Sequence, residues 1–195
     1  MSRVCATGAE PMGGAIGHNR GPALEGAGGW KTHCWRQARE ALLPTLPIEV
    51  VRLRVKRAKE LGLPYKTYAG IRAQTGHDVV AFLFSSNALK TGPSSPMLPA
   101  PIAAKLAGLT DVARIGLASA PLAPDALALN PELNRAHAAP YALASIPHTA
   151  RTLRAAMGPL PADRVVLVGF GALERDWCAA GRLAAFLPGA QYFCA

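Results

Sequence analysis

The chain has 195 residues, 50% of them hydrophobic and only 6% aromatic, with 21 Lys/Arg against 12 Asp/Glu and a formal net charge of +9. That length suits one medium domain or two small ones with a real core. No apolar run follows Met1 and none has the length of a membrane span, which argues against a secretory signal and a bilayer segment and gives a cytoplasmic reading.

Residues 1–29 carry eight glycines and no periodic apolar pattern. Such a segment buries too little surface to offset its ordering entropy, so a flexible tail is expected. Its one group with chemical character is Gly17-His18-Asn19-Arg20-Gly21-Pro22. From Trp30 the composition changes, and residues 30–90 read as a basic helical module. Trp30 to Lys90 holds 11 Lys/Arg and 4 Asp/Glu, a net of +7, most of the charge of the chain.

Within that module a first helix runs from Trp30 to Leu42 and stops at Pro44. A second opens at Pro47, with Glu49 at its positive end, Lys59 at its negative end and Gly62 as the C′ residue. Ile48, Val51, Val55 and Ala58 form its apolar stripe, while Arg52, Lys56 and Lys59 line the opposite side, flanked by Arg54 and Arg57. Pro64 to Gln74 reads as a third helix, ended by Thr75-Gly76. Val79 to Leu89 fits either a helix capped by Asp78 or a buried strand, and the cap tips the expectation to helix.

Thr91 to Pro101, with four prolines, reads as a linker. Residues 102–195 are expected to form a small α/β domain with a short parallel sheet, making the whole chain α+β. Its strands are Val112–Ala118 and Arg164–Val168, its helices Thr149–Met157 and Ala172–Phe186, and a last short strand falls at Gln191–Phe193.

Two constellations carry chemistry. Residues 65–89 resemble the helix-turn-helix motif of DNA-binding proteins, with Thr75-Gly76-His77 as the turn. The second element opens with Asp78 and is apolar through Phe84, so phosphate contacts are expected instead from Arg52, Arg54, Lys56, Arg57, Lys59, Lys66 and Arg72. The second constellation is Val165 to Glu174, a strand running into Gly169-Phe170-Gly171 at a helix start. It resembles the dinucleotide-binding turn of Rossmann proteins, which implies ligand binding by Gly169, Gly171, Glu174 and, from another helix start, His148. Glu174 stands where the third glycine belongs.

Cys5, Cys34, Cys178 and Cys194 show no Cys-x-x-Cys spacing, so free thiols, no metal and no cofactor are expected. His33 beside Cys34 and His77 beside Asp78 point in different directions on a helix, and no nucleophile–base–orienter set assembles from the sequence. Gly17 to Pro22 together with Leu43 to Leu89 resemble a set of small uncharacterised bacterial proteins. The resemblance implies bacterial origin and no particular activity.

Three functions follow as expectations. The first is a non-catalytic nucleic-acid-associated or regulatory protein that grips phosphates with the basic face. The second is an α/β enzyme or nucleotide binder at the Gly169-Phe170-Gly171 turn. The third is an adaptor for an acidic protein surface.

Overall fold

The structure is a computed structural model that describes residues 46–194; the expected tail over 1–29 and the helix from Trp30 lie outside these residues. The described chain begins with two helices, α1 (Ile48–Glu60) and α2 (Tyr65–Thr75). Helix α1 closes as its sequence predicts. Gly62 takes φ +62°, its N–H reaches Lys59 O at 3.0 Å, and Leu63 N–H reaches Ala58 O at 2.9 Å, a Schellman end. Gly76 ends α2 at φ +75°.

Strand β1 (Ala81–Ser85) follows, and the helix expectation for Val79–Leu89 is overturned. Every residue of β1 is buried. A continuous apolar run with no solvent face suits the centre of a parallel sheet, and here that demand outweighs the capping signal of Asp78. The helix-turn-helix resemblance of residues 65–89 falls with it, because its would-be reading helix is the innermost strand of the fold.

The remaining elements alternate: α3 (Ala100–Ala107), β2 (Ala113–Ala118), α4 (Pro124–Ala128), β3 (Arg135–Ala138), α5 (Ile146–Met157), β4 (Val165–Gly169), α6 (Ala172–Gly181), β5 (Ala185–Pro188) and α7 (Gly189–Cys194). The five strands form one parallel sheet in the order β3-β2-β1-β4-β5. The Pro-rich stretch 91–101 thus joins β1 to α3, and β1, which precedes it, lies in one sheet with four strands that follow it. The expected helix Ala172–Phe186 stops at Gly181, where Arg182 turns left-handed and the chain re-enters the sheet as β5; Gln191–Phe193, expected as a strand, is helical in α7.

Side chains alternate across β1. Phe82 and Phe84 face a core with Leu61, Tyr68, Leu106 and Tyr192, while Ala81 and Leu83 face Leu153, Met157 and Trp177 of α5 and α6. Helix α1 is fastened to the amino edge of the sheet by Arg57. Its guanidinium donates to Asp78 (3.0 Å), Glu60 (3.1 Å), and the carbonyls of Val79 (3.2 Å), Thr110 (3.3 Å) and Asp111 (3.0 Å). Burial works to lower the Arg57 pKa, but Glu60 and Asp78 outweigh it and the net shift is upward. Asp78 also accepts from the hydroxyl of Tyr68 at 2.8 Å.

This clamp gives a contrast between two arginines of one helix. Arg57 has a side chain 18% exposed and five acceptors, whereas the Arg52–Glu49 pair is about 70% exposed on both sides. Arg57→Ala is expected to lower unfolding free energy by about 2–3 kcal/mol, since it leaves Asp78 and three carbonyls short of a donor. Arg52→Ala should change it by less than about 0.5 kcal/mol. Urea unfolding of the two variants measures the difference, and equal effects would refute the clamp.

Candidate functional site

The strand order reverses between β1 and β4, so the loops leaving these neighbours diverge and open a crevice at the carboxyl edge of the sheet. Glu174, in the first turn of α6, points its carboxylate into the crevice and is only 3% exposed. A buried carboxylate requires donors, and three converge on it. Ser85 Oγ donates at 2.8 Å and Asn87 Nδ2 at 2.8 Å, both from the end of β1, and Phe170 N–H donates at 2.5 Å from the end of β4. Ser85 Oγ accepts in turn from Ala88 N–H at 3.1 Å. One side chain thereby ties together both strand ends of the crevice.

Gly169 makes room for this arrangement. A Cβ there would lie 2.6 Å from Glu174 Oε2 and 2.6 Å from Phe186, whereas a Cβ on Gly171 would meet nothing within 4 Å. The Gly-Phe-Gly turn therefore owes its first glycine to the carboxylate. The Phe170 N–H that a phosphate would use is already donated to Glu174.

Beside the crevice is a cavity of about 250 Å³, lined in part by Asn87, Lys90, Ile102, Phe170, Phe193 and Cys194. Phe170 is 76% exposed at its mouth. Lys90 has φ +57°, an uncommon backbone for a side chain of this size, held by hydrogen bonds from Lys90 N–H to Asn87 O and from Thr91 N–H to Ser86 O. His148 lines a different cavity, with Tyr141, Ala120 and Thr152, and stacks on Tyr141 at a ring separation of 6.0 Å. Of the four residues expected at a ligand turn, Gly169 and Glu174 are in contact, Gly171 flanks them, and His148 belongs elsewhere. Ser85, Asn87, Lys90 and Phe193 were not singled out. The polar Ser85-Ser86-Asn87 after a wholly apolar run is the signal for the first two once that run is a strand.

The seven basic residues are divided by their surroundings. Arg57 is the clamp of the amino edge. Arg72 donates to Tyr68 Oη at 3.2 Å and lies 3.9 Å from Asp78. Arg52 pairs with Glu49 at 2.9 Å, and Lys56 lies 4.0 Å from Glu60. Arg54 is half-buried, with Nε shielded from water and without a protein partner. Lys59 and Lys66 are exposed.

No protein-family model, curated protein or solved structure matches this chain. Among the described residues no group of three or more His, Cys, Asp or Glu is placed to hold a metal ion, and no helix is long and apolar enough to cross a membrane.

Two outcomes test this geometry. Gly169→Ala should cost about 2–3 kcal/mol of stability by overpacking, and Gly171→Ala less than about 1 kcal/mol, a loss confined to the helix cap. Chemical denaturation reads both. The thiols give the second check. Burial pushes Cys178 up to about 11, while Cys194 is exposed at the cavity. With Cys5 and Cys34 replaced by Ser, iodoacetamide at pH 8 should modify Cys194 roughly 100-fold faster than Cys178; equal rates would contradict the burial.

Proposed function

We propose that this chain is a small-ligand-binding α/β domain whose site is the cavity at the β1–β4 crevice. The observation that carries the reading is the Glu174 carboxylate. It fixes Asn87 and Phe170, one from each strand end, on the lining of the same cavity. Ligands of open parallel sheets bind outside the carboxyl ends of the strands where the order reverses. The lining is largely apolar and includes the aromatic residues Phe170 and Phe193, and Lys90 supplies its one cation. A compact molecule with an apolar or aromatic body and one anionic group fits that chemistry. A cavity of about 250 Å³ is small for a dinucleotide. Ser85 is fully buried with its hydroxyl donated to Glu174, an arrangement suited to holding the loop and not to nucleophilic attack.

Phenyl phosphate and benzoate are suitable probes. Binding at 100 times Kd raises unfolding free energy by about 2.7 kcal/mol. A bound probe should also protect Cys194 from iodoacetamide, and Lys90→Ala should remove both effects while leaving the fold intact. No stabilisation and no protection at about 10 mM of either probe would overturn the reading, since fragments of this size bind in the millimolar range.

The exposed Lys56, Lys59 and Lys66 favour a second reading, contact with nucleic-acid phosphates through α1 and α2. The pairing of Arg52 and Lys56 with Glu49 and Glu60, and of Arg57 and Arg72 with Asp78, leaves that face weaker than its cation count suggests. Replacing Arg52, Lys56 and Lys59 together by Gln should flatten the log–log salt dependence of binding by about two to three units. Undiminished binding by that variant, or none by the wild type at low salt, would dismiss this reading.

A further inference from the structure

The cavity that His148 lines measures about 330 Å³ and opens at the carboxyl ends of β2 and β3. Ala118 and Ala138, the last residues of the two strands, line it together with Ala120 and Ala139, so its floor is a set of methyl groups. Its polar side chains are His148, Tyr141 and Thr152. Thr152 donates its hydroxyl to His148 O at 3.1 Å. The other two are unused. His148 is half-buried, and among the described residues its ring nitrogens have no hydrogen-bond or ion-pair partner; the ring only stacks on Tyr141, with the planes tilted by 29°. The Tyr141 hydroxyl has no such partner either. No Asp, Glu, Lys or Arg lines the cavity, and Tyr141 is the one other titratable group facing His148 there. Arg151, three residues on along α5, is exposed and outside the lining.

We infer that this cavity binds a small monocarboxylate with a short apolar chain. The chain packs on the alanines and Leu122, and the carboxylate meets His148 and the Tyr141 hydroxyl. The charge of the lining rests on His148, the type of side chain that changes charge between pH 8 and pH 5.5. A protonated imidazole offers two N–H donors and no acceptor, which suits carboxylate oxygens and forms a charge-assisted bond. An ammonium group entering the same space finds no carboxylate to offset its lost hydration. His148 also lies in the first turn of α5, where the helix favours a negative charge beside it. The volume is near the lower end for small-molecule pockets, so the body of the ligand is compact. This lining shares no residue with the Lys90 cavity, and the inference does not depend on the function proposed for that cavity.

The test uses the full chain and the imidazole C–H resonances of its five histidines, His18, His33, His77, His137 and His148. His148→Gln identifies the relevant signal. The probes are butyrate, acetate and butyramide. At pH 5.5 the His148 signal should move and saturate with butyrate, with Kd on the order of 10 mM for a fragment of this size. Acetate should bind roughly tenfold weaker, because it lacks two methylenes that the cavity buries. Butyramide should bind about tenfold weaker than butyrate at pH 5.5, and raising the pH to 8 should weaken butyrate by a similar factor. Ala138→Leu, which fills the cavity, should abolish the shift while the signals of His18, His33 and His77 stay in place, and Lys90→Ala should leave the titration unchanged. No saturating shift of His148 by about 100 mM butyrate would overturn the inference. So would acetate or butyramide binding as tightly as butyrate at pH 5.5, or a shift that survives Ala138→Leu in a folded variant.

Discussion

The structure depends on the complete burial of one strand. Residues 81–85 are shielded on both faces and hydrogen-bonded along both edges, by β2 on one side and β4 on the other. A strand in that position tolerates no charge along its length, so polar chemistry is displaced to its two ends. At the amino end Asp78 receives Arg57 and Tyr68. At the carboxyl end Ser85 and Asn87 meet Glu174. Each end carries one buried or half-buried ionic group whose partners come from elements distant in sequence, and these two knots hold the flanking helices in place.

The two ends have different capacities for function. The amino-edge knot uses its cation completely, with five acceptors around Arg57, and so behaves as a structural fastening. The carboxyl-edge knot satisfies its carboxylate while leaving Phe170 and Lys90 facing a cavity. The reversal of strand order at β1–β4 generates that crevice, because the loops leaving these two strands diverge and neither fills the space between them. The same edge holds a cavity lined by Tyr141, Ile146 and Leu173. Tyr141, Leu143, Ile146, Phe170 and Leu173 leave apolar surface uncovered in the loops and first helical turns of this edge, as Ile48 and Leu53 do on α1.

Charge is the most prominent property of the sequence, and the structure gives several of its cations acidic partners. Composition counts cations without their partners. Arg57 and Arg72 converge with Asp78 only because α1, α2 and the start of β1 pack together. Glu49 and Glu60 temper Arg52 and Lys56 along the helix itself. Conversely, Glu174 looks in sequence like a defect in a glycine motif, and in the fold it joins the ends of β1 and β4. The glycine before it, Gly169, leaves room for that carboxylate and for the Phe186 ring.

Local chemistry was legible wherever neighbours in sequence decide the outcome. The ends of α1 and α2, marked by Gly62 and Gly76, follow from left-handed backbone that glycine adopts without strain. The parallel sheet follows from short β-branched and apolar runs alternating with helices. What depended on distant partners was not legible. Val79–Phe84 fits helix or strand, and the Asp78 cap tips it to helix, until a sheet on both sides pairs the backbone of β1. Strand β3, over Arg135–Ala138, has almost no apolar pattern because it lies at the edge of the sheet, and it pairs only with β2. The convergence of Ser85, Asn87 and Phe170 on Glu174 spans nearly ninety residues of chain. By itself the sequence determined the segments and their ends, through propensity and periodicity. Only the tertiary structure decided which charged groups remain free and which are consumed, because that depends on the distances between groups brought together by packing.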